Sequence, residues 1–175
     1  MDIASEIAKE HSKAKCLQIA DYVNVNTDRF KILMNVFFAG PYRITQRAAW
    51  PVNVCVERNP QLIIPYLKKL TTFLREPGIH PAVKRNGLRL LQFIEIPKTR
   101  YAELLDLCFE FLERKNEPVA IKVFAMILLE KLTKKYPELR RELKLVIEDQ
   151  LPYGSAGFRS RATKVLKSIN ENNAI

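Results

Sequence analysis

The residues of this sequence able to do chemistry are few, and their spacing matches no catalytic or metal-binding pattern. Cys16, Cys55 and Cys108 are scattered through apolar stretches, and the two histidines, His11 and His80, have no partner ligand near them. A zinc or redox site needs such side chains in close pairs. There is no Gly-rich phosphate loop, no GxSxG elbow and no HExxH helix. Glu148 and Asp149 are adjacent acids, but neighbouring helix residues point about 100° apart and do not converge. The expectation is a chain with no catalytic residue, no metal and no cofactor, leaning away from an enzyme. An odd number of cysteines in apolar settings fits buried, reduced thiols and a cytoplasmic location.

What the sequence has in excess is positive charge. Lys and Arg total 29 against 19 Asp and Glu, a net +10. Such a balance favours an anionic partner, whether an acidic protein surface or nucleic acid, and is equally the mark of a well-solvated surface. The excess is concentrated late in the chain. Residues 131–167 hold ten basic residues, among them Arg140, Arg141, Arg161, Lys164 and Lys167, against Glu138, Glu142, Glu148 and Asp149. That pattern could contact phosphates. No aromatic residues interleave with it as they do where single-stranded bases stack.

The elements that position these residues read as helices throughout, because apolar residues recur at three- and four-residue intervals. Expected helices are Ile3 to Glu10, Ser12 to Val23, Thr27 to Phe38 and Thr45 to Glu57. A helix capped by Asn59, with Pro60 at its first position, then runs to Arg75. It is followed by Pro81 to Glu95, Thr99 to Arg114, Pro118 to Tyr136, Pro137 to about Leu151, and Gly157 to Asn170. Pro51 and Pro65 fall inside helices and should kink them. The opening MDIASEIAKEHSKAK lacks the basic-then-apolar order of a signal peptide. No apolar run reaches the roughly 18 residues of a membrane span.

Superimposed on this is an internal repeat. QRAAWPVNVCV, KRNGLRLLQFI, KVFAMILLEKL and SRATKVLKSIN begin at residues 46, 84, 122 and 160, a gapless step of 38. A column of short side chains runs through Ala49, Gly87, Ala125 and Thr163, as expected where two helices approach closely. Aliphatic columns run through Val52, Leu90, Leu128 and Leu166, and through Val56, Ile94 and Leu132, the latter failing at Asn170. The intervening helices keep the step in Leu67, Leu105 and Leu143, in Leu70, Cys108 and Val146, and in Leu74 and Leu112, where the column breaks at Gln150. One helix pair cannot bury its apolar face alone, so a continuous core requires stacked pairs. The expected organisation is a single domain over residues 1–175. Residues 1–45 form an irregular N-terminal cap, 46–170 the regular repeats, and 171–175 a frayed tail.

With Arg47, Arg85 and Arg161 in one early-helix column, ahead of small and aliphatic positions, the chain resembles the HEAT-repeat α-solenoids of the armadillo/HEAT class. Val123 interrupts the arginine column with Lys122 beside it. The Asp usual before the second helix is missing, and Glu76 and Glu117 are approximate substitutes. The resemblance implies an all-α, right-handed α-α superhelix of about four to five stacked helical hairpins. It implies a non-catalytic interaction module whose second helices form the binding surface through Arg47, Arg85, Arg89, Gln92, Glu130, Arg161 and Lys164, with a protein partner. Each arginine of the column could instead hydrogen-bond a neighbouring turn. Trp50, the one tryptophan, lies at the border of the core and could anchor a partner. The alternative is a nucleic-acid-binding protein using the basic C-terminal repeats. It resembles the HEAT-like DNA alkylation-repair proteins in architecture only, since no Asp lies on any second helix.

Overall fold

The computed structural model describes residues 1–171; the expected fraying beyond Glu171 lies outside the described residues. Those residues form ten α-helices and no strand, in two compact units, one of residues Met1–Glu95 and one that begins at Ile96.

The first unit holds α1 (Ile3–Lys9), α2 (Lys13–Val23), α3 (Thr27–Ala39), α4 (Tyr42–Arg58), α5 (Leu67–Arg75) and α6 (Pro81–Leu90). Side-chain caps start four of them by accepting from otherwise orphaned amides. Asp2 accepts from Ala4 and Ser5, Ser12 from Lys15, Asn26 from Arg29, and His80 Nδ1 from Ala82. Glu6 Oε2 receives Lys15 Nζ at 2.5 Å and Oε1 receives Lys9 Nζ at 2.7 Å, tying α1 to α2. The hydrogen bonds from Lys15 and then Lys9 hold the Glu6 carboxyl down at about 2. α4 is the hub, packed on α1, α2, α3 and α6.

The second unit holds α7 (Tyr101–Glu113), α8 (Val119–Thr133), α9 (Arg140–Gln150) and α10 (Ala156–Glu171), with α8 packed between α7 and α10. Here Ser155 Oγ accepts from the Phe158 amide at 3.3 Å at the start of α10, whereas α8 has no side-chain cap. Pro118 is the cap residue of α8, and its carbonyl accepts from Ile121 and Lys122.

Several helix bounds differ from the sequence reading for stated reasons. α4 starts at Tyr42 because the Pro41 carbonyl already accepts from Ile44 and Thr45. The stretch after Asn59 is not one helix. Residues Pro60–Tyr66 wind as a 3₁₀ helix, Asn59 makes no side-chain cap, and α5 begins only at Leu67. Pro65 has no N–H and its ring crowds the carbonyl four residues back, so regular α-helix cannot run through. Pro51, by contrast, is buried inside an unbroken α4. α6 stops at Leu90 rather than Glu95, in a 3₁₀ turn, and the chain is extended by Ile94 ahead of Pro97. α8 stops at Thr133, and α9 begins at Arg140 after a 3₁₀ turn opened by Pro137.

The repeat columns make the core. Val52, Leu90 and Leu128, Val56, Ile94 and Leu132, Leu67 and Leu143, Leu70 and Cys108, and Leu74 and Leu112 are all buried. The fourth copy departs. On α10, Thr163 and Asn170 are exposed and Leu166 is half-buried, while Phe158, Ala162, Val165 and Ile169 are buried. Ala162, Val165 and Ile169 each precede a column residue by one, so the buried face of α10 is rotated by about 100° from the columns.

The short-side-chain column has a local cause at Gly87. A Cβ there would lie 2.7 Å from Cδ2 of Leu74, itself fully buried. Gly87→Ala sets a helix-propensity gain of about 1 kcal/mol against an overpacking cost of about 1–3 kcal/mol. The expected outcome is net destabilisation, larger for Gly87→Val, read as a lowered urea midpoint with unchanged slope.

Candidate functional site

The arginines of the shared column do not share an environment. Arg47, half-buried, donates from Nη1 to the carbonyl of Ala8 at 2.8 Å and to that of Ile7 at 3.3 Å. Both carbonyls belong to the last turn of α1, which has no intrahelical donors left for them. Arg47 thus closes α1 from a distance of some forty residues in sequence. Arg85 is exposed on α6, and Arg161 is half-buried on α10. Arg89 lies over the Phe93 ring at 5.9 Å, and Gln92 is half-buried in the following 3₁₀ turn. Glu130 is half-buried near the end of α8. Trp50 is half-buried, its ring meeting His11 edge-on at 5.6 Å between centroids.

In the second unit Arg140 donates from Nε to the Thr133 carbonyl at 3.3 Å, spanning the α8–α9 turn. Arg141 is exposed beside it on the first turn of α9. Lys164 and Lys167 are exposed on the unburied face of α10, with Lys167 Nζ 3.7 Å from Glu171. An exposed pair at that distance contributes little. Arg159 is exposed as well, and the one acid on α10 is Glu171.

A further feature was not drawn out of the sequence. Between the α7–α8 turn and the α9–α10 turn lies a cavity of about 630 Å³. Its lining includes Lys122, which is only 7% exposed. Lys122 Nζ donates to Gln150 Oε1 at 2.6 Å. The Gln150 amide in turn donates to the carbonyls of Leu112 at 3.0 Å and Val146 at 3.4 Å. Leu112 lies 38 residues before Gln150. The glutamine that breaks the Leu74–Leu112 column is therefore a polar link in the seam, and that break was the one sequence signal of the site. Burial pushes the Lys122 ammonium below the ordinary lysine value, opposed by the Glu117 carboxylate. Glu117 itself is buried to 6% side-chain exposure and lies 3.6 Å from Arg114 Nη1. Val119 and Tyr153, two of the exposed large hydrophobic residues, stand in the lining with buried Phe158.

Cys16, Cys55 and Cys108 are buried thiols, not joined in disulfides among the described residues. Burial pushes the Cys16 thiol up to about 11 and the Cys55 thiol up to about 12, which leaves little thiolate for nucleophilic chemistry. Among the described residues no group of three His, Cys, Asp or Glu side chains is placed to hold a metal. None of the described helices is long and apolar enough to cross a membrane.

Helices packed on their neighbours within each unit, with apolar columns that recur every 38 residues, define an α-helical repeat protein. A family model described as a HEAT repeat domain matches residues 3–169, and the chain belongs to that family. No curated protein and no solved structure shows significant similarity to it.

Two outcomes follow from this geometry. Arg47→Ala strips the end of α1 of its remote donors and is expected to cost about 1 kcal/mol, with faster amide exchange confined to α1. Lys122→Met removes a buried charge, and its stability at neutral pH should stay within about 1 kcal/mol of the wild type. Because burial lowers the Lys122 pKa, the folded chain releases that proton at lower pH than the unfolded chain. Wild-type stability should therefore gain on Lys122→Met as pH climbs towards the ordinary lysine value of 10.5. Chemical denaturation of both proteins across that range measures it.

Proposed function

We propose that this chain is a non-catalytic interaction module that docks an acidic protein surface on its C-terminal basic face. The observation that carries the reading is the exposed side of α10. Where α8 in the same register buries Ala125 and Leu128, α10 presents Thr163 and half-buried Leu166, with Lys164 and Lys167 beside them in solvent. With Arg159 and Arg141 exposed nearby in sequence and a single acid on α10, this is a helix face set for an anionic partner. HEAT-family membership supports an interaction role. Buried cysteines outside any disulfide favour a reducing, cytoplasmic setting.

Nucleic acid is the competing anion, and it is separable. A fluorescent glutamate-rich peptide and a labelled DNA duplex are titrated at salt concentrations of about 50 to 200 mM. The peptide is expected to bind more tightly than the duplex, with affinity falling as salt rises. The triple variant Arg141→Glu, Lys164→Glu, Lys167→Glu should weaken the peptide by about tenfold or more. The control Lys31→Glu, Arg43→Glu on the first unit should leave it unchanged. Tighter duplex binding with a steep salt slope would replace this reading with the nucleic-acid one.

A further inference from the structure

Lys122 is an expensive residue to place where it is. An ammonium carries three N–H donors, and among the described residues its hydrogen-bond acceptor is Gln150 Oε1 alone. Gln150 offers nothing further, since its amide is committed to the Leu112 and Val146 carbonyls. A residue only 7% exposed thus keeps donor capacity at the wall of a cavity of about 630 Å³. That volume falls in the range of small-ligand sites. Ser155 also lines it. Its Oγ accepts from the Phe158 amide, so its hydroxyl proton remains available to an incoming acceptor.

The rest of the lining narrows the ligand. Val119, Phe158 and Tyr153 supply an apolar wall, and Tyr153 is 91% exposed, largely uncovered by the described residues. A free anion such as phosphate would leave that wall unused. The lining also carries the carboxylates of Glu113 and Asp149, both exposed, and of Glu117, whose side chain is buried, with exposed Lys115 as the one further cation among them. These carboxylates repel a run of negative charge, so an acidic tract or a nucleic-acid backbone does not fit here. One acceptor anion at Lys122, with apolar atoms around it, does.

We propose that the cavity between the α7–α8 and α9–α10 turns binds a single carboxylate carried on an apolar body, with Lys122 and Ser155 as the donors. Two sources share that chemistry: an acidic side chain inside an apolar peptide stretch, and the C-terminal carboxylate of a peptide ending in an apolar residue. The site is separate from the exposed face of α10 and stands or falls independently of the acidic-surface reading.

The test is an NMR titration of the full chain with three short peptides. Acetyl-Leu-Glu-Leu-amide carries the side-chain carboxylate, acetyl-Leu-Phe with a free C-terminus carries the terminal one, and acetyl-Leu-Gln-Leu-amide carries no charge. At least one carboxylate peptide is expected to move the amide signals of Val119, Lys122, Ser155 and Phe158, with a dissociation constant on the order of 1 mM. The one that does so identifies the source. The glutamine peptide should bind about tenfold more weakly or worse, and Lys122→Met should lose at least that factor. Helical circular dichroism and a melting curve check that Lys122→Met is folded, and Ser155→Ala serves as a second, milder variant expected to weaken binding about threefold. The proposal is overturned if neither carboxylate peptide moves those signals. It is equally overturned if the glutamine peptide binds as well, or if folded Lys122→Met binds as tightly as the wild type. Lys122→Met leaves Arg141, Lys164 and Lys167 in place, so loss here with retained binding of the glutamate-rich peptide separates the two sites.

Discussion

Everything in this fold depends on one packing constraint: a helix that must bury more than one of its sides. α4 touches α1, α2, α3 and α6, and its buried residues run almost continuously through Ala48, Ala49, Pro51, Val52, Asn53, Cys55 and Val56. α8 lies between α7 and α10 and buries Ile121, Ala125, Met126, Leu128, Leu129 and Leu132. An ordinary surface helix needs an apolar stripe on one side only. A helix flanked on several sides needs a wider apolar arc and short side chains where a neighbour comes close, as Gly87 meets Leu74. α10 shows the converse. Its buried residues narrow to Phe158, Ala162, Val165 and Ile169, and the released positions become polar.

Apolar seams of this kind are slippery, because one leucine column resembles the next one turn along. Each unit carries a polar link across a seam, buried in the first and half-buried in the second. In the first, the Asn53 amide donates to Ala49 at 2.9 Å in its own helix and to Asn86 at 3.0 Å in α6. In the second, Gln150 joins α9 to the last turn of α7 and accepts from Lys122 of α8, so one side chain ties three helices. Shifting either seam by a turn would strand these groups without partners, at a cost of about 1–3 kcal/mol each. The aliphatic columns supply cohesion, and the amides fix the register.

That division explains what was legible in the sequence. The 38-residue step could be read because the seam columns repeat one residue type, and most of those residues are buried, with Leu105, Val146 and Leu166 half-buried. Pro65 misled because proline is tolerated in a 3₁₀ turn as readily as at a helix start, whereas the helix carrying Pro51 continues through it. The rotation of α10 was hidden because Ala162 and Val165 belong to no column: a one-residue shift in the buried face leaves the repeat intact on paper. The cavity was harder still. In a chain with 29 basic residues, Lys122 reads as one more surface charge. Only its juxtaposition with Gln150, which lies 28 residues later, distinguishes it. The arginine column was visible as a pattern, yet pattern carries no information on contacts. Arg47 reaches two carbonyls of α1 while Arg85 faces solvent.

The positive charge of the chain therefore divides into groups with different energetics. Lysines such as Lys164 and Lys167 stay hydrated, cost the fold almost nothing and act through a long-range, salt-sensitive field. Lys122 has lost most of its water, and its field is confined to a small volume of low polarisability, where each unfilled donor counts for more than on the surface. A hydrophobic residue of the same length would satisfy the packing at that position without the desolvation penalty. The seam register does not require it, because Gln150 already holds Leu112 through its amide. What the ammonium adds, beyond one hydrogen bond to an acceptor that solvent could also satisfy, is a localised positive charge at the wall of a cavity.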